Sequence, residues 1–212
     1  MALRRHDLLR AQPSAWAGLL AERADLADPP WLAGWAERGW PLVVRRAEPA
    51  DPPGLVALGL PLPPSAGKRR LALNLAPEVL SAPQPPPLLA LAAASAPASW
   101  RATVARLTTL DADVRVFGSL AWQALTGLDY LDPASDLDLL WPLPPAEAVE
   151  ALLANVAAID AEALVRLDGE LVRTDGAAAN WRELASGCGE VLVKRLDGVT
   201  LEPRSHFLGA RP

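Results

Sequence analysis

Two short segments in the second half of the chain constrain its fold most. The run Val114–Phe117, apolar except for Arg115, ends in Gly118-Ser119, and a second run, Asp136-Leu137-Asp138-Leu139-Leu140, follows Ser135. Both runs have the length and composition of buried strands, and the residues between 120 and 126 favour a short helix. The pattern therefore predicts a strand that ends at Gly-Ser, a helix, and a second strand that begins with two carboxylates.

The Asp-x-Asp spacing predicts a cation site. Side chains of a strand alternate between its two faces, so Asp136 and Asp138 should point one way while Leu137 and Leu139 enter the core. Two adjacent carboxylates repel each other and are costly to desolvate, and a hard cation such as Mg²⁺ removes both costs. We therefore expect Asp136 and Asp138 to bind magnesium, as one ion or two.

The Gly-Ser pair predicts an anion site beside these carboxylates. Gly118 has no Cβ, so its backbone can approach a ligand closely. Ser119 lies where the helix is expected to begin, and its hydroxyl and the free amides of the first turn can face a phosphate. A lone Gly-Ser pair is usually a turn or cap, and a lone Asp-x-Asp is often a solvated strand start. Together, in this order, they favour transfer of a phosphate-linked group.

Composition excludes several classes of protein. The 212 residues can form one large or two small domains, and the single cysteine, Cys188, rules out an internal disulfide and a zinc cluster. The net charge of −5 argues against a nucleic-acid partner. Charges in every segment argue against a membrane span, and the first ten residues precede no apolar run of signal-peptide length. We expect a cytoplasmic protein.

The order of the predicted elements gives an α+β or α/β fold with two domains. Residues 1–80 form a small N-terminal α/β domain, residues 81–98 a connection rich in Pro and Ala, and residues 99–212 a catalytic domain with a mixed sheet. The N-terminal domain has a helical pattern over 15–38, interrupted at Pro29-Pro30, and strands over 41–46, 54–60 and 69–75. Two Asp-Gly pairs, at 168–169 and 197–198, predict hairpins in the catalytic domain.

Further charged residues complete the expected site. Two carboxylates rarely suffice for two metal ions, so a third is expected on a neighbouring strand. Glu170 is favoured as ligand or base because it lies within a predicted strand, whereas Asp168 precedes Gly169 and is expected in the turn. Lys194, on the strand 191–195, is expected to bind a polyphosphate, with a solvated strand face as the alternative.

Several segments resemble one known family. Residues 118–131 and 135–140 resemble the signature of malonate decarboxylase holo-acyl-carrier-protein synthases, also called phosphoribosyl-dephospho-CoA transferases, in the nucleotidyltransferase superfamily. Agreement extends to segments in both halves of the chain: Arg5-His6-Asp7-Leu8-Leu9, Pro41–Arg46, Asp168-Gly169-Glu170 and Gly176–Leu184.

The resemblance implies a reaction and a fold. The sheet of the C-terminal domain should be nucleotidyltransferase-like. The donor would be 2′-(5″-triphosphoribosyl)-3′-dephospho-CoA, the acceptor a serine of the apo acyl carrier subunit of malonate decarboxylase, and the leaving group pyrophosphate. By the motif match, Asp136 and Asp138 would bind Mg²⁺, while Gly118 and Ser119 would hold the triphosphate.

The N-terminal domain is expected to hold the donor or the carrier. Its basic residues are the candidate contacts, because acyl carrier proteins are generally acidic. The alternative is a solvated basic strand edge that discourages aggregation. These residues are Arg45, Arg46, Lys68, Arg69 and Arg70.

Two other functions remain open on the sequence, and a third is disfavoured. An ATP-dependent nucleotidyltransferase that modifies another small molecule or protein would use the same site chemistry. A non-catalytic module that binds a nucleotide or carrier would keep the carboxylates for structure alone. A polymerase-like enzyme is disfavoured by the acidic net charge and the lack of a long basic segment.

Overall fold

The chain divides into two compact units between Pro85 and Pro86. The computed structural model describes residues 2–23, 26 and 29–209. This boundary divides the segment 81–98. The Ser81 amide donates to the Arg10 carbonyl within the first unit, and a helix begins at Leu89 in the second. The predicted α and β fold class is confirmed. In the described part of the chain, no helix has the length and apolarity needed to cross a membrane.

Among its described residues, the first unit forms a four-stranded antiparallel sheet and an α-helix. The strands lie in the order β1-β2-β3-β4. The three strands predicted from alternating hydrophobicity are confirmed, whereas β1 is too short to leave a pattern. The helix ends well before Arg38, and residues 24, 25, 27 and 28 of the predicted helical segment lie outside the described residues. The elements are β1 (Leu8–Leu9), α1 (Pro13–Glu22), β2 (Leu42–Val44), β3 (Val56–Pro61) and β4 (Arg70–Leu75).

The second unit is a six-stranded mixed sheet with helices. The strand order is β10-β9-β8-β7-β6-β5, in which β6 and β7 are parallel and the other neighbours antiparallel. Its elements are α2 (Leu89–Ala92), α3 (Arg101–Leu110), β5 (Arg115–Val116), α4 (Gly118–Thr126), β6 (Leu137–Pro142), α5 (Ala146–Glu162), β7 (Leu167–Val172), β8 (Ala178–Asn180), α6 (Trp181–Ala185), β9 (Glu190–Lys194), β10 (Val199–Pro203) and α7 (Arg204–Gly209).

One face of this sheet carries the hydrophobic core. Helix α5 buries Val149, Leu153 and Val156, which recur at helical spacing along one stripe. They join the core with alternate residues of the strands, including Leu139 and Trp141, which are fully buried. Because strand side chains alternate, the intervening residues point to the opposite face.

The hairpin predicted around Asp168-Gly169 is wrong. Strand β7 continues through both residues and pairs in parallel with β6. Gly169 points to the core face, where a Cβ would lie 2.7 Å from Cζ3 of Trp141. The glycine therefore permits close packing rather than a turn. The second predicted hairpin, around Asp197-Gly198, is confirmed by the antiparallel pairing of β9 and β10.

Candidate active site

A row of polar side chains crosses four neighbouring strands on the face opposite the core. Asp138 of β6 is paired in register with Asp168 of β7, and Glu170 is paired with Asn180 of β8. Lys194 of β9 pairs with Ala178, two residues from Asn180, so it lies on the same side. We call Asp138, Asp168, Glu170, Asn180 and Lys194 the polar row. Three carboxylates thus share one face of the sheet with one ammonium group.

The carboxylate of Asp138 lies directly against Gly118. A Cβ built on Gly118 would overlap Oδ2 of Asp138, and the glycine has φ +64°, a conformation that costs other residues energy. The Phe117 amide donates to the Asp138 carbonyl at 3.0 Å, which fixes the end of β5 beside β6. Helix α4 begins at Gly118, so Ser119 lies in its first turn, where the predicted anion site would need it. The predicted Gly-Ser pair and one predicted carboxylate are therefore adjacent.

Asp136 lies one residue before β6 rather than within it. Its Oδ2 accepts from Arg166 Nη1 at 2.8 Å, and the two side chains are 32% and 61% exposed. Ion pairs this exposed contribute little to stability, so the Asp136 carboxylate can exchange its partner at low cost. Sequence reasoning missed Arg166, although a basic residue immediately before an acidic strand is the signal that could have indicated it.

The loop that leads to Asp136 is held by Gln123 of α4. Its Nε2 donates to the Ser95 carbonyl at 2.9 Å, and its Oε1 accepts from the amides of Tyr130 and Leu131. A second turn follows, in which the Asp132 amide donates to the Ser135 hydroxyl at 2.9 Å. These bonds order the segment between helix α4 and the first carboxylate.

Asp168 is anchored through one carboxylate oxygen. Oδ1 accepts from Asn180 Nδ2 at 2.9 Å and from the Gly169 amide at 2.8 Å. Oδ2 has no hydrogen-bond partner within residues 2–23, 26 and 29–209. Asp168, expected in a turn, is thus a strand residue beside Asp138 with one oxygen available to a ligand.

Glu170 and Lys194 form an ion pair. Glu170 is 4% exposed, and Lys194 Nζ donates to its Oε1 at 2.8 Å. The ammonium neutralises a carboxylate that would otherwise be buried at high cost. Lys194 itself is 31% exposed, so it also remains accessible from solvent. The structure therefore brings these two predicted site residues together.

The donor set suits magnesium in its chemistry. Asp136, Asp138 and Asp168 offer carboxylate oxygens, the ligands that this hard cation prefers. Among the described residues, no group of three or more His, Cys, Asp and Glu side chains is arranged to hold a metal ion. Magnesium is commonly held by one or two carboxylates together with substrate phosphates, and that arrangement fits the residues present.

Arg45 of the first unit is fully engaged within that unit. Its guanidinium donates to both carboxylate oxygens of Asp51, to the Leu58 carbonyl and to the Arg46 carbonyl. Hydrogen bonds from Arg45 hold the pKa of the Asp51 carboxyl well below its usual range. The remaining predicted basic contacts are exposed residues near β2 and at the start of β4, namely Arg46, Lys68, Arg69 and Arg70.

Comparison with known families confirms the resemblance drawn from the motifs. Residues 4–86 match the model of the phosphoribosyl-dephospho-CoA transferase MdcG N-terminal domain, and residues 88–205 match that of the MdcG C-terminal domain. The two matches meet near the boundary between the two compact units. Both halves of the chain therefore carry the same family relationship.

Individual relatives share this relationship over nearly their whole length. A phosphoribosyl-dephospho-CoA transferase of Bradyrhizobium diazoefficiens is 47% identical over 208 residues, which cover 96% of this chain and 92% of the relative. That of Xanthomonas campestris is 44% identical over 86% of this chain and 87% of its own. That of Pseudomonas aeruginosa is 34% identical over 89% and 87%. No solved structure matches the chain.

Proposed function

The chain belongs to the phosphoribosyl-dephospho-CoA transferase family, and on that premise we propose that it loads an acyl carrier protein with its prosthetic group. The donor is triphosphoribosyl-dephospho-CoA, and the acceptor is a serine of the apo acyl carrier subunit of malonate decarboxylase. The observation that carries the proposal is the contact of Asp138 with Gly118 at the start of α4. It joins a carboxylate to a helix N-terminus, the two features that a metal-bound triphosphate needs.

The proposed reaction is a phosphoryl-type displacement. The serine hydroxyl of the carrier attacks the α-phosphate and loses its proton to solvent, a phosphodiester bond forms, and the bond to pyrophosphate breaks. The first-turn amides of α4 and the Ser119 hydroxyl hold the triphosphate, while Asp136 and Asp138 hold magnesium. Magnesium, when bound, neutralises charge on the phosphates. The main contribution of the chain is to position the two reactants, because phosphoryl transfer depends chiefly on alignment and charge.

The polar row supplies the remaining charges in this proposal. Asp168 adds negative charge beside Asp138 and keeps one oxygen available to a metal ion that the substrate phosphates help to hold. Glu170, expected from the sequence to be a ligand or base, instead fixes Lys194. Lys194 then contributes positive charge toward the departing pyrophosphate. This division of roles follows from burial, because Glu170 is enclosed and already paired.

The exposed basic residues of the first unit are proposed to dock the carrier. Lys68, Arg69 and Arg70 lie together at the start of β4, an edge strand. Positive charge on this surface complements an acidic carrier and accelerates encounter. Arg45 does not belong to this surface, since its donors are occupied by Asp51 and by backbone carbonyls.

Intact mass spectrometry of the apo carrier tests the proposal. The carrier is incubated with the protein, Mg²⁺ and either triphosphoribosyl-dephospho-CoA or ATP. The expected result is a mass gain equal to the donor minus pyrophosphate with the first donor and none with ATP. A gain with ATP alone would establish the adenylylating alternative, and no gain with either would favour a binding module.

A further inference from the structure

We propose that Asn180 is a positioning residue that orients Asp168 in the acidic site, an inference that rests on the proposed function. The segment Gly176–Leu184 belongs to the sequence motifs, yet the proposed reaction uses none of its residues. Asn180 ends β8 on the polar row, where its Nδ2 donates to Asp168 Oδ1 at 2.9 Å. The bond leaves Oδ2 of Asp168 as the oxygen directed to a metal-bound substrate.

The second bond of Asn180 fixes the direction of the first. Asn180 is the N-cap of α6, and its Oδ1 accepts from the Arg182 amide at 2.9 Å. An amide side chain has one acceptor end and one donor end, so the cap turns the NH₂ group toward the carboxylate. Aspartate or serine would cap the helix equally well, but neither supplies the NH₂ group. The residue type is therefore explained by Asp168 rather than by the helix.

The surrounding contacts hold the same part of β7 in place. Arg182 Nη2 donates to Asp160 Oδ1 at 2.8 Å and to the Leu167 carbonyl at 2.9 Å. Asp160 Oδ1 also accepts from the Leu167 amide at 3.1 Å. Arg182 stacks on Trp181, with 4.3 Å between its guanidinium carbon and the ring centroid. The residue before Asp168 is thus fixed through both its amide and its carbonyl, and Asn180 fixes the side chain.

In this role Asn180 resembles a residue that hydrogen-bonds to a metal ligand without binding the metal itself. Carboxylates that bind metals are themselves held by hydrogen bonds, and loss of such a bond typically lowers affinity or activity by about 10- to 100-fold. The effect should pass entirely through Asp168. Removing Asp168 should therefore make the identity of residue 180 irrelevant to metal binding and to catalysis.

The test compares the protein with N180S, D168A and the double variant N180S/D168A. Serine keeps the helix cap but lacks the donor, so N180S should melt only about 2–4 °C below the parent. Mn²⁺ affinity, followed by electron paramagnetic resonance in the presence of donor, and the rate of carrier modification are measured for all four. N180S should lower both about 10-fold, and the double variant should match D168A.

One further variant completes the design. N180A, which loses the cap as well, should melt lower and thereby report the purely structural contribution of residue 180. Unchanged Mn²⁺ affinity and rate in N180S would overturn the proposal, and so would wild-type behaviour of D168A. Independent effects of the two substitutions would also overturn it, as would failure of the unmodified protein to bind Mn²⁺. Asp168-dependent Mn²⁺ binding without carrier modification would instead refute the proposed function and leave the role of Asn180 intact.

Discussion

The carboxylate of Asp138 occupies the space that a side chain at Gly118 would need. A Cβ at position 118 would overlap Asp138 Oδ2 and would also approach its Cγ. The Gly-Ser motif and the Asp-x-Asp motif are thus in direct contact, because the glycine of the first leaves room for the carboxylate of the second. Any residue other than glycine at 118 must displace the carboxylate.

Substitution of Gly118 should therefore abolish most of the activity. In G118A the Asp138 carboxylate must shift, and misplacement of a catalytic group by about 1 Å costs on the order of 100-fold in rate. Gly127 offers a matched control, because its φ is similar at +73° but no atom lies within 4 Å of its Cβ position. G127A should lose about 1 kcal/mol of stability from backbone strain alone. Equal rates for the two variants would refute the steric argument.

The ion pair of Glu170 with Lys194 should respond asymmetrically to mutation. K194M removes the ammonium partner of the buried Glu170 carboxylate and should destabilise the protein by about 1–3 kcal/mol, whereas E170Q leaves a lysine that can turn to solvent and should cost less. Urea unfolding measures both. The double variant E170Q/K194M should recover stability without recovering activity. Recovery of activity as well would show that Lys194 serves the fold alone.

The ion pair between Arg45 and Asp51 predicts a pH dependence of stability. Arg45 lowers the pKa of Asp51 in the folded protein, so the pair stabilises the fold above the unfolded pKa of about 3.9 and loses that effect as pH falls toward the folded pKa. D51N should therefore melt below the parent between about pH 5 and 8, and the difference should shrink in acid. D129N alters an exposed aspartate and is the control. A gap independent of pH would contradict this prediction.

Gly169 should be required for the fold rather than for a turn. A Cβ there would meet the Leu139 carbonyl and the Trp141 ring, so G169A should cost about 1–3 kcal/mol through overpacking. Gly189, with open space around its Cβ position, is the control, and G189A should stay within about 0.5 kcal/mol of the parent. Chemical denaturation measures the free energy of unfolding of both variants and tests this prediction. A harmless G169A would indicate that β6 and β7 tolerate separation.

Local patterns were sufficient to predict how part of the candidate site is arranged. The strand, the Gly-Ser turn, the helix and the strand after Asp136 follow one another within a short stretch, and each has its own hydrophobic or conformational signal. The structure places Gly118, Ser119 and Asp138 together as those signals predicted. The same reasoning located β2, β3 and β4, whose apolar residues alternate.

Contacts between distant segments were beyond these patterns. Asp-Gly is a strong hairpin signal, but Asp168-Gly169 lies within a strand, where Gly169 packs closely against the Leu139 carbonyl and the Trp141 ring. The bond of Asn180 to Asp168 depends on the register of β8 against β7, which the sequence does not encode locally. Arg45 likewise has a basic side chain that looks available until Asp51 is placed beside it.

The most direct test of the proposed mechanism is the effect of Asp138 on carrier loading. Apo carrier, Mg²⁺ and triphosphoribosyl-dephospho-CoA are incubated with the protein or with D138N, and the intact mass of the carrier is followed over time. D138N keeps the shape of the side chain beside Gly118 but removes its charge. We expect the mass gain of donor minus pyrophosphate with the unmodified protein and a rate at least about 100-fold lower with D138N. Loading by D138N at the unmodified rate would contradict the assignment of Asp138 to the reaction.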